Sequence, residues 1–185
     1  MATPNLLLAG SAFPLGRYLD DLLGRDADVV ILPTAAAFTG LTEAAIAITG
    51  VLGEQRPEAL LIGDRDAAQT EHFAKRIREA AAVIITDGSP LHFRTTIRDT
   101  VVHEALTRAQ LIVSVGSVGT VLGTTMIDPR GGAPTTGLGI FDDCVVAVSS
   151  PTLARSGELL GASEVMREIT TTSAWSYRNG EWREI

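Results

Sequence analysis

The sequence predicts an α/β protein built in three layers, a mostly parallel sheet with helices packed on both of its faces. Three observations carry this. Short runs of Val, Ile and Leu recur along the chain, stretches of helical length separate most of them, and the runs stay apolar without alternating. A strand that is apolar at consecutive positions needs cover on both sides, which is the situation of a parallel sheet between helices. Strand following helix following strand supplies the crossovers that parallel pairing requires.

The apolar runs place strands at Asn5–Ala9, 28–32, 59–62, 82–86, Leu111–Val115 and 144–148. Helical spacing marks residues 16–23, 43–52, 67–80 and 96–109. The tail departs from the pattern: Ala174–Arg178, then Asn179-Gly180, then 181–185 read as a β-hairpin. Asn-Gly accepts the positive φ angles of a tight primed turn, so the hairpin is expected as an edge or capping ribbon. No linker, repeat or low-complexity segment interrupts residues 1–185, and one domain with a substantial core is expected.

Composition narrows the function. Hydrophobic residues make up 45% of the 185 and aromatic ones only 5%, so aliphatic packing dominates the interior. The net charge of -7 argues against a nucleic-acid partner, which requires a basic surface. The lone Cys144 excludes an internal disulfide and a multi-cysteine zinc site, and its valine neighbours suit a buried, inert thiol. No apolar run approaches the roughly 18 residues of a membrane span. MATPNLLLAG has no basic leader and reads as a first strand, so a cytoplasmic location is the expectation. No cofactor or metal is expected. No His and carboxylate pair has ligand spacing, and GSVGTVLG is neither a Walker pattern nor GxGxxG.

In open α/β sheets ligands bind beyond the carboxyl ends of the strands. The segments after each strand are therefore the candidates, and 111–130, LIVSVGSVGTVLGTTMIDPR, stands out. A β-branched run enters small residues and then a helix-like segment, the layout of a nucleophile elbow. Ser117 has Gly119 two residues later but the large Val115 two before; Ser114 fits no better. With Gly116 at the apex there is no side chain to attack with. Two readings stand side by side: a glycine-rich turn with incidental serines, or Ser117 as nucleophile.

The loop Asp87-Gly88-Ser89-Pro90-Leu91-His92 follows a strand and should lie beside that turn. Gly88 and Val118 are the candidate backbone donors to an oxyanion. His92 is the histidine at the carboxyl edge, whereas His72 and His103 fall within helical stretches. As general base for Ser117 it would need a carboxylate to orient it, and Asp87 and Asp128 are the candidates. The bland reading of His92 is loop packing. Pro129 biases Asp128 away from helix, and Asp128 and Arg130 pairing across a turn is the structural alternative. Asp66 is read as a helix N-cap. Arg94, Arg98 and Arg130 are cations near the same edge.

With these segments in place, the chain resembles the cyanophycinase and α-aspartyl dipeptidase family of serine hydrolases. The resemblance is ordered along most of the chain. It runs through VVILPTAAAF at 29–38, IGDRDA at 62–67, IITDGSPLHFR at 84–94, GSVGTVLGTTMIDPRGGA at 116–133 and TTGLGI at 135–140. It implies a class I glutamine amidotransferase-like, flavodoxin-like fold and hydrolysis of small Asp-containing peptides or amides, an acidic substrate that Arg94, Arg98 and Arg130 would suit. In the family the nucleophile lies in G-x-S-A-G-A. Matching Ser117 to it requires a one-residue deletion before Met126, whereas an ungapped match through MIDPRGGA puts Gly116 at the nucleophile. The family's histidine position reads Val148-Ser149-Ser150-Pro151 here, Asp128 lies near the acidic third member, and Asp87-Gly88-Ser89 stands for the oxyanion-side Gly-Gly-Asn or Gly-Gly-Asp.

Three functional expectations follow. The first is a divergent member with lost or weak hydrolysis that acts by binding a small peptide or amino-acid-like ligand. The second is an active hydrolase with Ser117 and His92 as a relocated pair. The third is thiol chemistry at Cys144, which burial in a strand opposes. A second copy of the chain is the expected protein partner.

Overall fold

The computed structural model describes residues 3–53, 55–128, 133–142, 145–148 and 166–185. Its strands are β1 (Asn5–Ala9), β2 (Val29–Leu32), β3 (Glu58–Ala59), β4 (Ala82–Ile85), β5 (Leu111–Val115), β6 (Thr125–Ile127), β7 (Pro134–Thr136), β8 (Val145–Val148), β9 (Met166–Ile169), β10 (Ala174–Arg178) and β11 (Glu181–Glu184). The helices are α1 (Leu15–Leu23), α2 (Leu41–Val51), α3 (Arg65–Ala68), α4 (Glu71–Glu79), α5 (Pro90–Ile97) and α6 (Val101–Leu106), with short 3-10 turns at Thr34–Ala36 and Gly116–Val121.

Seven strands form the main sheet in the order β11-β10-β1-β5-β4-β2-β3. The five from β1 to β3 in that order are parallel, and the terminal hairpin adds antiparallel to β1. Strand residues alternate between two apolar layers. Leu6, Leu8, Val30, Leu32, Val83, Ile85 and Ile112 face Phe93, Ile97, Val102 and Leu106 of α5 and α6. Leu7, Val29, Ile31, Ile84 and Val113 face Leu15 and Leu19 of α1 and Ala45 of α2. This is the expected mixed α/β architecture with a mostly parallel sheet between helices.

Several elements differ from the sequence reading, each for a local reason. Of the 144–148 run, Val145–Val148 forms β8 but pairs with β9 in a separate two-stranded ladder, because β10 already holds the free edge of β1. At 59–62 the ladder stops after Ala59: the Ile62 N–H turns back to the Leu60 carbonyl at 2.9 Å. The 67–80 helix is two helices, and the cap is Asp64 in place of Asp66, its carboxylate accepting the Ala67 N–H at 2.8 Å. The 96–109 helix is likewise divided. Thr100 Oγ1 accepts the His103 N–H at 3.2 Å, and Asp99 before it takes a φ of 57°. His103 is then held at both ring nitrogens, by the Asp99 N–H at Nδ1 (3.2 Å) and the Leu138 carbonyl at Nε2 (2.8 Å).

Arg76 of α4 pins the outer strands. It reaches Asp28 through both terminal nitrogens and Glu58 through Nε at 2.7 Å. Those bonds, Asp28's first, raise its guanidinium still further above its ordinary value. Among the described residues no helix is long and apolar enough to cross a membrane.

Candidate functional site

Strands β4 and β5 are neighbours, with Ile85 opposite Ser114, so the residues that follow them emerge side by side at the carboxyl edge. After β5 the chain bends at Gly116, whose φ is +66°. L side chains rarely adopt that conformation, and Gly116 is the apex of the turn. After β4 comes Asp87-Gly88. Gly88 is required there because a Cβ would come within 2.3 Å of the Ala35 carbonyl oxygen, and that same carbonyl accepts the Ser89 N–H at 2.8 Å.

The two turns lock together through Asp87. Its Oδ1 accepts the Gly88 N–H at 2.8 Å, the Ser117 N–H at 2.9 Å and the Ser117 hydroxyl at 2.9 Å. Ser117 Oγ also stands 2.9 Å from the Gly88 carbonyl, so its single proton has two acceptors. A Cβ built on Gly116 would lie 2.2 Å from Asp87 Cγ, and 2.4 and 2.5 Å from its two oxygens. The carboxylate thus fills the place that a side chain at the apex would occupy.

The sequence-derived site residues divide accordingly. Ser117, Asp87 and Gly88 are brought together. Asp87 was one of two candidates, with Asp128, to orient His92, and its described partners are Gly88 and Ser117. The N–H following the apex is that of Ser117, and Val118 packs in the core without donating to Asp87. That displacement by one residue follows from Gly116, not Ser117, taking the positive φ. His92 lies on the first turn of α5, not in a loop. Its Nε2 is 3.4 Å from Thr96 Oγ1, and its ring meets Phe38 at 5.0 Å between centroids. His92 makes no hydrogen bond to Ser117 or Asp87.

Asp128 follows β6, where its N–H donates to the Ala133 carbonyl at 2.9 Å and continues the β6–β7 ladder. Arg94 ties α5 to β7 by donating to the Thr136 carbonyl at 2.6 Å, and Arg98 pairs with Asp99. Arg130, Cys144 and the family's histidine position at 149–151 lie outside the described residues, so the Asp128–Arg130 pairing and the burial of Cys144 do too. Among the described residues no group of three or more His, Cys, Asp or Glu side chains could hold a metal ion.

Two hydroxyls near this edge escaped the sequence reading, those of Thr34 and Thr86, and Ser114, weighed above as an elbow serine, belongs with them in the structure. Thr34, Thr86 and Ser114 are fully or almost fully buried, and their oxygens have no hydrogen-bond partner. Threonine in an apolar run carries no sequence signal that would separate it from valine.

Among solved structures the chain is similar to a peptidase from an acI-B1 actinobacterium, with a TM-score of 0.75 and 19% identity over 99% of this chain and 87% of that one. It is also similar to a candidate peptidase E protein from Listeria monocytogenes EGD-e, with a TM-score of 0.71 and 15% identity over 100% and 98%. At these identities the likeness defines the fold, which is peptidase E-like and flavodoxin-like. No family model and no curated protein matches the sequence.

Proposed function

We propose that this chain is a peptidase-fold protein of the cyanophycinase and aspartyl dipeptidase type that acts by binding rather than by covalent hydrolysis. Its ligand is a small peptide or amino-acid-like molecule taken at the edge where β4 and β5 end. One observation carries the reading. The residue with the elbow's positive φ is Gly116, which has no side chain, and Asp87 fills the space beside it. A serine nucleophile needs a base within hydrogen-bond reach, and Ser117 has a carboxylate and a carbonyl instead of an imidazole. Loss of the triad's nucleophile or base costs nearly as much rate as loss of all three members. The peptidase-like fold alone does not establish activity, since function follows the site.

The competing reading keeps Ser117 as nucleophile and His92 as base. It draws on Ser117 Oγ being hydrogen-bonded at the turn itself, and it requires His92 to leave Thr96 and Phe38. Treating the protein with a fluorophosphonate probe and with a panel of Asp-X dipeptides and amides separates the two. The binding reading expects no labelling and no turnover beyond those of Ser117→Ala. Labelling or dipeptide cleavage abolished by both Ser117→Ala and His92→Ala would replace it with the hydrolase.

A further inference from the structure

We propose that Asp87 is a built-in occupant of a carboxylate cradle, and that a ligand carboxylate binds at this edge by displacing it. The proposal rests on the binding reading above and names the chemistry it would recognise.

Two backbone donors from separate segments converge on one Asp87 oxygen, the Gly88 N–H at 2.8 Å and the Ser117 N–H at 2.9 Å, and the Ser117 hydroxyl, which it shares with the Gly88 carbonyl, also stands 2.9 Å away. Backbone donors fixed on a common point stabilise negative charge without reorganising. Their positions come from the β4–β5 pairing and the Gly116 bend, not from Asp87 itself. The cradle therefore persists when the carboxylate leaves. The absence of a Gly116 side chain is what admits it, since any Cβ there would stand 2.2 Å from Asp87 Cγ.

Among the described residues no other hydrogen bond holds the carboxylate. Asp87 is exposed, and among the described residues no ion pair involves it. Exchange with an outside anion needs a rotation about χ1 and no opening of the core. A tethered group competes at a high effective concentration, so a lone small anion loses to Asp87. A winning ligand must carry further binding groups beside its carboxylate, as an amino acid or short peptide does.

The test uses Asp87→Ala and Asp87→Asn, unfolded thermally in sodium formate and in sodium chloride of equal ionic strength. Asp87→Ala empties the cradle and should show a saturable, formate-specific rise in Tm of about 2–4 °C. Wild type should show none, and neither should Asp87→Asn, whose amide oxygen refills the cradle. A folded Asp87→Ala indifferent to formate, or a wild type that responds equally, overturns the proposal. If the alanine variant does not fold, Asp87→Gly takes its place, and failure of both to fold even in formate also overturns it. The two readings fail separately. Ser117 labelling would defeat the binding reading with the formate response intact, whereas a missing response would defeat the plug with Ser117 unlabelled.

Discussion

The turns after β4 and β5 begin alike and are secured differently. The first leads into α5 and supplies its own cap: Ser89 Oγ accepts the His92 N–H at 3.2 Å, with Pro90 at the opening helical position. The second leads into the 3-10 turn Gly116–Val121, where Val115 offers no side-chain cap. Its Ser117 N–H is satisfied by Asp87, thirty residues earlier in sequence. One turn is therefore written in adjacent residues, whereas the other exists only once two strands have paired. The borrowed cap is also the candidate site, so local stability and ligand chemistry share the same carboxylate.

The largest expected effect tests that dependence. Gly116→Ala strains a positive φ, at about 1–3 kcal/mol, and drives Asp87 from its donors, at about another 1–3 kcal/mol. Urea unfolding should show a loss of about 3 kcal/mol in total. In an Asp87→Gly background the second part is already gone, so the two substitutions should fall short of additivity by about 1 kcal/mol. Strict additivity would break the link between the turns. Ser89→Ala should cost about 1 kcal/mol, the usual loss for an N-cap. Because that cap is local, the loss should be the same in the wild-type chain and in an Asp87→Asn background. The smallest effect belongs to Ser117→Ala, about 0.5 kcal/mol, because the backbone N–H on Asp87 survives. A loss as large as that of Gly116→Ala would transfer the cap's weight from backbone to hydroxyl.

The same distinction decides what could be read from sequence. Strands β1 and β5 run over the same residues as their apolar stretches, because burial on both faces leaves continuous hydrophobicity. The outer strand shortened to Glu58–Ala59, where Leu60 is buried and Leu61 exposed. Periodicity ran through the break at Arg98–Thr100, since the Thr100 cap interrupts the backbone without disturbing the apolar spacing. Ser89-Pro90 was a legible helix start, and reading it so would have moved His92 from a loop to α5. That the Asp87 loop and the Gly116 turn share one edge was legible, because both follow strands of a sheet expected to be mostly parallel. The Asp87–Ser117 bond was not, because it depends on the Ile85–Ser114 register, which no local pattern encodes.

The terminal hairpin has a consequence for self-association. By pairing with β1 it moves the border of the sheet outward to β11, whose residues include Glu181, Arg183 and Glu184. The opposite border, β3, is only two residues long. Short and charged borders resist growth by strand addition. A second copy of the chain would therefore find better purchase on a helical surface than along either rim of the sheet.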